Sequence, residues 1–379
     1  MSKKKATKCV HSGNIVDDKF HGSISPIYPA TTYDYRKSDT YPRYFNTPNQ
    51  VALSKKISDL ESAEDSILFG SGLGAVSSTM FSFLKSGDHV ILHDSIYGGT
   101  INLVNTEFKK FNIDFSYIDI NNIDLLKSTI KKNTRIIYFE TPTNPLLQVV
   151  DISLISSIAR ENDIISIIDN TFASPINQNP INFGINLVIH SASKYLGGHS
   201  DILAGSVSGT KEHIEKIKKS GINYGANLSD YTVWLLERSI KTLSVRVNAQ
   251  NQNALYLAKF LNESSLIKKV YYPGLENHIS HEIATKQMIG FGGMMSFEVI
   301  DKINSEDFVS DLKIISPTMS LAGVESSITS PSKTSHKKVD SQKRKKLGIS
   351  DNLLRFSVGI EDIEDLMLDL DKSLKNNVR

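Results

Sequence analysis

The fold of this chain is decided by the segment LVIHSASKYLGGHSD, residues 187–201. Its first residues are apolar and β-branched, which is typical of a buried strand. The strand leads directly into Ser191, Ser193 and Lys194, and two glycines follow. A lysine at the end of a buried strand is a candidate for an amine that forms a Schiff base, and the flanking hydroxyls could hold a phosphate. The alternative is a solvated lysine after a core strand.

Length and composition exclude several classes of protein. The chain has 379 residues, enough for one large α/β domain plus a smaller one, and its net charge of +2 gives no electrostatic basis for binding nucleic acid or membranes. We expect neither a signal peptide nor a transmembrane span, because no apolar run approaches about 18 residues. A single cysteine, Cys9, fits a reducing cytoplasm. The ten histidines lack metal-ligand spacing, so no metal site is predicted.

Strand and helix patterns alternate through the first two thirds of the chain. Short β-branched runs predict strands at 66–69, 89–92, 114–118, 135–139, 164–168, 187–189 and 204–208. With helices between them, these runs indicate an α/β domain that has a mostly parallel central sheet covered by helices on both faces. We expect an N-terminal arm over 1–45 and the large domain over 46–248.

The pattern changes after a long helical stretch at 229–262, in which a break near 240 is possible. Strands are predicted at 269–272, 294–299 and 353–358, and a helix at 363–374. They indicate a smaller α+β C-terminal domain over 249–379. We interpret the lysine-rich segment 336–346 as a solvated helix face.

Polar residues follow several of the predicted strands at the point where each strand ends. In parallel sheets, ligands lie beyond the carboxyl ends of the strands. Residues 71–73 open a helix and could offer backbone N–H groups to a phosphate, while Tyr97 could lie flat on a planar ring. Asp169 ends an apolar strand and needs a partner there, for which a pyridinium N–H is suitable. Together with Lys194, these residues favour pyridoxal phosphate as the ligand.

Six segments carry a resemblance to a known family: YGGT (97–100), ETPTNPLLQVVDI (140–152), DNTF (169–172), HSASKYLGGHSD (190–201), SLAGVESSITSPSKTSH (320–336) and LLRFSVGIEDIEDL (353–366). The chain resembles the cystathionine γ-synthase and γ-lyase family of Cys/Met metabolism over nearly its whole length. This family belongs to the fold-type I pyridoxal-phosphate enzymes. The resemblance implies an aspartate-aminotransferase-like fold and pyridoxal 5'-phosphate as the cofactor.

The resemblance also implies roles for the cofactor-binding residues. Lys194 would carry the cofactor as a Schiff base and move protons, Asp169 would pair with the pyridine nitrogen, and Tyr97 would stack on the ring and act as a second catalytic residue. The residues implied to contact the phosphate are Ser71, Gly72, Leu73, Ser191 and Ser193.

Two further residues are implied to reach the phosphate site of a neighbouring subunit. Tyr41 and Arg43 match a Tyr-x-Arg pair of the family. The implied minimum active unit is therefore a homodimer, and a homotetramer is expected.

The substrate would be a small amino acid. Arg355 would grip its α-carboxylate, and Asn144 would border that carboxylate and the cofactor ring. Glu325 would meet the distal amino group of cystathionine, with Ser326 beside it. The loop at 330–336 departs from the family's pattern, which bears on substrate choice and not on cofactor binding.

The expected reaction lies at the γ-carbon of homoserine- or cystathionine-type substrates, as in cystathionine γ-synthase or γ-lyase. Gly99 argues against methionine γ-lyase, which typically has a cysteine there, and Val324 against enterobacterial-type cystathionine β-lyase, which usually has an aromatic residue. The alternatives are these two activities, O-acylhomoserine sulfhydrylase and, more remotely, a non-catalytic binding protein on the same scaffold. The Ser191-x-x-Lys194 spacing also matches serine β-lactamases, but the Lys-Thr-Gly element of those enzymes is missing from the sequence.

Overall fold

The computed structural model describes residues 3–334, 337, 342, 344 and 348–379. The chain divides into two compact units. The first comprises the chain up to Glu140, Asp151–Gly197 and Asp201–Ser244, and the second comprises Thr141–Val150, Gly198–Ser200 and Val245–Arg379. The predicted helix face at 336–346 lies almost entirely outside the described residues.

The first unit is built around a seven-stranded sheet. Its strands are β1 (Asp65–Phe69), β2 (His89–His93), β3 (Asp114–Ile118), β4 (Thr134–Glu140), β5 (Ile165–Asp169), β6 (Leu187–Ser191) and β7 (Gly205–Gly209). They lie in the order β1-β7-β6-β5-β4-β2-β3. The pairs among β2 to β6 are parallel, and β7 is antiparallel to both of its neighbours. The predicted mostly parallel sheet is therefore confirmed.

Helices precede, connect and follow the strands of this sheet along the chain. Those of the first unit are α1 (Lys5–His11), α2 (Pro48–Glu61), α3 (Gly72–Phe83), α4 (Gly98–Glu107), α5 (Ile123–Thr129), α6 (Ile152–Glu161), α7 (Ser174–Asn177), α8 (Lys211–Tyr224) and α9 (Asp230–Ile240). Short 3-10 helices cover Pro42–Tyr44, Phe108–Phe111 and Pro180–Phe183. Local sequence determines several of the helix starts; α2, for example, begins with a capping box in which Thr47 and Gln50 bond reciprocally.

The core of this unit consists of the apolar strand residues. Ile136, Ile167, Ile189 and Val207 have no exposed surface and belong to one buried cluster, which lies across four neighbouring strands. Strands buried on both faces read as continuous β-branched runs, which is why they could be recognised in the sequence. Three neighbouring strands, β4, β5 and β6, end on polar residues, at Glu140, Asp169 and Ser191.

The second unit contains a four-stranded antiparallel sheet. Its strands are β8 (Ile267–Tyr271), β9 (Met294–Val299), β10 (Ser327–Thr329) and β11 (Leu353–Ser357), in the order β10-β11-β9-β8. Its helices are α10 (Leu243–Glu263, which begins two residues before the unit), α11 (His281–Gln287), α12 (Ser305–Asp311) and α13 (Ile363–Asn376). The expected α+β composition is confirmed.

The structure adds two details to the elements predicted from the residue pattern. The helical stretch at 229–262 is two helices, α9 and α10, separated at Lys241 and Thr242, close to the break that the sequence allows. Strand β10 was not predicted, because three residues are too few for an alternation to be recognised. No helix in the described part of the chain is long and apolar enough to cross a lipid bilayer.

Candidate active site

The backbone at the N-terminus of α3 packs closely against the backbone at the end of β6. Ser71 caps α3 by accepting a hydrogen bond from the Gly74 N–H at 2.9 Å. A methyl group on Gly72 would lie 2.8 Å from Ser191 Cβ, and one on Gly205 would lie 2.1 Å from the Ser71 carbonyl oxygen. Only glycine allows this approach, which places free helical N–H groups beside a serine hydroxyl. Such an arrangement suits a phosphate.

A chain of hydrogen bonds connects the ends of β5 and β6. The Thr171 N–H donates to Asp169 Oδ1 at 3.0 Å, and the Thr171 hydroxyl accepts from the Ser191 N–H at 2.8 Å. Burial raises the pKa of Asp169, while the bonds from Thr171 act in the opposite direction. Within the described residues no basic side chain forms an ion pair with Asp169, although His93 and His190 pair with other acids. A cationic ring N–H would be a suitable ion-pair partner for this carboxylate.

A second acid stands next to Asp169. Glu140 ends β4 in register with Asp169 on β5, and its Oε1 accepts a hydrogen bond from the Tyr97 N–H at 2.6 Å. Burial, and then the negative charge of Asp169, raise the pKa of Glu140 well above its usual range. No role for Glu140 is predicted from the residue pattern, although its position at a strand end was a signal.

Tyr97 is the residue that Glu140 anchors. It precedes α4 as the N-cap, and its side chain is 53% exposed. A methyl group on Gly99 would lie 2.3 Å from Tyr97 Cε1, so glycine at this position leaves space for the ring. The backbone of Tyr97 is thus held while its ring stays available for stacking.

A histidine and a glutamate form another buried pair in the first unit. His190 Nε2 and Glu61 Oε1 are 2.5 Å apart, and neither side chain is exposed to solvent. The amides of Asn170 and Asn179 donate to the same carboxylate at 3.4 Å. The electrostatic effect of His190 lowers the pKa of Asp169 against the larger effect of burial. Sequence spacing could not find this pair, because 129 residues separate its members.

Lys194 lies in the turn that follows β6. Its N–H donates to the Ser191 carbonyl oxygen at 3.0 Å, and its side chain is half-buried. The Ser193 hydroxyl accepts from the Ala204 N–H at 3.0 Å and donates to the Ala204 carbonyl at 3.3 Å. The turn is therefore attached to the segment before β7, which keeps Lys194 close to the end of β6.

Tyr41 and Arg43 lie apart from this group in sequence and are exposed. The Arg43 guanidinium lies 5.5 Å from the ring centroids of Tyr41 and Tyr44, and its Nη1 donates to the Ile222 carbonyl at 2.8 Å. Apart from each other, Tyr41 and Arg43 form no hydrogen bond, ion pair or ring contact with a predicted cofactor-binding residue in the described part of the chain.

Of the predicted substrate-binding residues, Arg355 and Asn144 meet in the second unit. Arg355 is 5% exposed; its Nη1 donates to Asn144 Oδ1 at 3.2 Å and its Nη2 to the Met319 carbonyl at 3.0 Å. Burial lowers the pKa of Arg355 to about 10. Both of these acceptors are neutral, and no carboxylate in the described part of the chain forms an ion pair with Arg355. A buried guanidinium of this kind suits an anionic ligand.

Glu325 and Ser326 adjoin each other in the loop 319–326 but differ in environment. Glu325 is exposed, whereas Ser326 has no exposed surface. The Ser326 hydroxyl donates to Glu361 Oε2 and accepts from the Gly359 N–H, both at 2.9 Å. The hydroxyl is therefore engaged within the fold, and Glu325 is the member of the pair that is open to a ligand.

The residues of the first unit fit pyridoxal phosphate by their chemistry. The start of α3, approached through glycine, offers N–H groups to a phosphate, and Asp169 is an acid of raised pKa that suits a ring N–H. Tyr97 offers an anchored ring, and Lys194 offers an amine. The described residues contain no cluster of His, Cys, Asp or Glu that could hold a metal ion.

The chain belongs to the Cys/Met metabolism PLP-dependent enzyme family, whose model matches residues 6–375. It is therefore a pyridoxal-phosphate enzyme of the C–S lyase class. Among curated proteins it is 44% identical to cystathionine β-lyase of Lactococcus lactis subsp. cremoris (strain MG1363), over 97% of this chain and 98% of that one. It is 39% identical to cystathionine γ-lyase of Bacillus subtilis (strain 168), over 98% and 100%.

Among solved structures, the chain is similar to cystathionine γ-lyase from Lactobacillus plantarum complexed with L-serine. The TM-score is 0.94 at 37% identity, and the match covers 98% of this chain and 99% of that one. The family, the fold class and the cofactor predicted from the sequence are thus confirmed.

Proposed function

We propose that this enzyme cleaves a C–S bond of L-cystathionine. The observation that supports the proposal is that a buried cation lies at one end of the loop 319–326 and an exposed anion near the other. At its start the Met319 carbonyl holds the buried Arg355 guanidinium, and near its end Glu325 is exposed. Cystathionine has an α-carboxylate for the cation and a distal ammonium group for the anion.

Each predicted residue then has a definite task. Arg355, steadied by Asn144, binds the α-carboxylate, and Glu325 binds the distal ammonium group. Lys194 Nζ removes the proton from the α-carbon and, for cleavage on the γ side, a second proton from the β-carbon, and it returns protons as the sulfur leaves. The cofactor, when bound, supplies a ring that takes up the electrons of the broken C–H bond.

The remaining first-unit residues hold the cofactor in our proposal. Ser71, Gly72, Leu73, Ser191 and Ser193 bind the phosphate. Asp169 keeps the ring nitrogen protonated, and Tyr97 stacks on the ring.

Two cleavage positions are candidates. Cleavage on the γ side converts cystathionine and water to cysteine, 2-oxobutyrate and ammonia; Glu325 and Val324 favour it, and γ-synthase chemistry at the same carbon is its variant. Cleavage on the β side gives homocysteine, pyruvate and ammonia. The β side is favoured by the 44% identity to proteins named cystathionine β-lyase.

Product analysis tests the proposal. Purified protein loaded with pyridoxal phosphate is incubated with L-cystathionine, and both oxo acids are quantified by chromatography. We expect 2-oxobutyrate with equimolar cysteine, and no product from the Lys194→Ala variant. Predominant pyruvate would instead establish the β-lyase. If neither acid appears, the enzyme does not cleave cystathionine and the proposal is refuted; an assay with O-acetylhomoserine and cysteine then tests the γ-synthase variant by cystathionine formation.

We also propose a homodimer as the minimum active unit and a homotetramer as its assembly. The support is the exposure of Tyr41 and Arg43, which the resemblance assigns to the neighbouring subunit's phosphate site. Mixing inactive Lys194→Ala chains with inactive Arg43→Glu chains tests this proposal. Mixed dimers contain one intact site, so about a quarter of wild-type activity should return after subunit exchange. No recovery in mixtures that mass measurement shows to contain mixed dimers would contradict it.

A further inference from the structure

Glu361 bonds to the backbone and to the side chain of the same residue. Its Oε1 accepts from the Ser326 N–H at 2.5 Å, and its Oε2 accepts from the Ser326 hydroxyl at 2.9 Å. Both are charge-assisted hydrogen bonds to a residue with no exposed surface. Ser326 is the residue immediately after Glu325.

The segment around Glu361 bonds to the same loop at two further points. The Ile360 N–H donates to the Val324 carbonyl, and the Gly359 N–H donates to the Ser326 hydroxyl, both at 2.9 Å. A methyl group on Gly359 would lie 2.2 Å from Glu361 Oε2 and 2.3 Å from the Val324 carbonyl oxygen. Glycine at 359 is therefore required for this close approach. We call residues 359–361 the clamp.

Other contacts hold the preceding part of the loop. Gln250 Nε2 donates to the Gly323 carbonyl at 2.8 Å, and the Val324 N–H donates to the Gly198 carbonyl at 3.0 Å. The backbone is thus bonded on both sides of Glu325. In contrast, the Glu325 side chain is exposed and makes no recorded hydrogen bond or ion pair to the described residues.

We infer that Glu361 is a positioning residue for substrate selection, which fixes the direction in which Glu325 leaves the loop. A free carboxylate on a mobile loop loses conformational entropy when it binds an ammonium group, and a clamped backbone reduces that cost. The inference rests on the proposed function, because it presupposes that Glu325 meets the distal ammonium group.

The inference makes a prediction that depends on the substrate. Glu361→Gln keeps the shape of the side chain but removes its charge and replaces one acceptor oxygen by an amide donor, so the hydrogen bond to the Ser326 hydroxyl must reverse its direction. We expect the KM for L-cystathionine to rise about threefold to fivefold, with kcat and the visible spectrum of the cofactor unchanged. The KM for S-methyl-L-cysteine or L-methionine, whichever is turned over, should stay the same, because neither has a distal ammonium group. Glu364→Gln, the same change at an exposed residue of α13, is the matched control.

One structural measurement and two further variants ensure that the test does not depend on the KM of a single variant. Amide hydrogen exchange of residues 323–327 should become faster in Glu361→Gln and not in Glu364→Gln. Gly359→Ala should reproduce both effects, since its methyl group forces the clamp away from the loop. In the double variant with Glu325→Gln, the Glu361 change should add nothing to the KM for cystathionine.

Three results would overturn the inference. They are an equal loss with both kinds of substrate, unchanged exchange at 323–327, and additive effects in the double variant. Failure of the proposed function is distinguishable from these, because the wild-type enzyme would then not turn over cystathionine at all; if only the role of Glu325 fails, Glu325→Gln alone leaves the KM for cystathionine unchanged. The exchange experiment would in that case still decide whether Glu361 holds the loop.

Discussion

The residues proposed to hold the cofactor and the loop proposed to choose the substrate are stabilised in different ways. Asp169, Glu140 and Ser191 stand at the ends of buried strands, where backbone N–H groups fix the local geometry. The Thr171 N–H donates to Asp169, the Tyr97 N–H to Glu140, and the Ser191 N–H to the Thr171 hydroxyl. In the second unit, Glu325 is an exposed side chain, and the bonds there are made by the neighbouring backbone and by the Ser326 hydroxyl. Changes among the strand-end residues should therefore alter the chemistry, whereas changes at the loop should alter the choice of substrate.

The same contrast separates the two charged groups of the second unit. Arg355 is buried and its guanidinium is bonded to neutral acceptors, so an anion bound there is shielded from water. Glu325 would bind its partner at the surface, where water and salt weaken an ion pair. We expect the loss of Arg355 to affect all amino-acid substrates strongly and the loss of Glu325 to affect few of them, and weakly.

The largest effect is expected at Asp169. Replacing it by asparagine removes the carboxylate that would hold the ring nitrogen protonated, while the Thr171 N–H keeps an oxygen acceptor. The kcat/KM should fall about 10²–10³-fold, a size typical for the loss of one electrostatic group in an active site. Steady-state kinetics and the pH dependence of the cofactor's visible absorbance measure the effect. A variant with an unchanged pH titration and unchanged rate would contradict the assignment.

The next effect is expected at Arg355. Arg355→Lys keeps the charge but loses the planar fork, so the KM should rise about 10–10²-fold for every amino-acid substrate. Burial lowers the pKa of Arg355 to about 10, so the guanidinium keeps its charge through the neutral range in which the variants are compared. A KM that the variant raises for cystathionine alone would show that Arg355 does not bind the α-carboxylate.

A smaller effect is expected where backbones meet at the turn proposed to bind the phosphate. Gly205→Ala forces a methyl group against the Ser71 carbonyl, and overpacking of this kind costs about 1–3 kcal/mol. Cofactor affinity should fall about tenfold, measured by titrating the apoenzyme with pyridoxal phosphate. Gly70→Ala is the control, since its methyl group would have its nearest neighbour at 3.5 Å. Equal behaviour of the two variants would show that the close approach does not matter for the cofactor.

The smallest effect is expected at Glu325. An exposed ion pair contributes about 1 kcal/mol or less, so Glu325→Gln should raise the KM for cystathionine up to about fivefold. The effect should shrink with added salt and be missing for substrates without a distal ammonium group. A loss of the same size for all substrates, or a change in the cofactor spectrum, would remove the distinction between the two regions.

Much of this arrangement could be predicted from local sequence. Strands buried on both faces read as β-branched runs, and the residues proposed for the cofactor, such as Lys194 and Asp169, follow those runs directly. The antiparallel direction of β7 and its position between β1 and β6 could not be predicted, since no local pattern encodes which strands pair. The short strand β10 was missed for want of length.

The residues that hydrogen-bond to the site residues could not be predicted from the sequence. Glu61 meets His190 across 129 residues and Glu361 meets Ser326 across 35, and each pair exists only because the tertiary fold brings its members together. Glu140 is an intermediate case. Its place at a strand end was visible, but its bond to the Tyr97 backbone depends on the pairing of β2 with β4.

The central claim is that the turn after β6 presents the lysine that carries the cofactor. Reduction of the loaded enzyme with borohydride, followed by proteolysis and mass spectrometry, tests it most directly, because reduction fixes the cofactor permanently on the lysine to which it is joined. The account predicts a phosphopyridoxyl group on Lys194 and on no other lysine. Its presence on a different residue, such as the buried Lys56, would contradict the account.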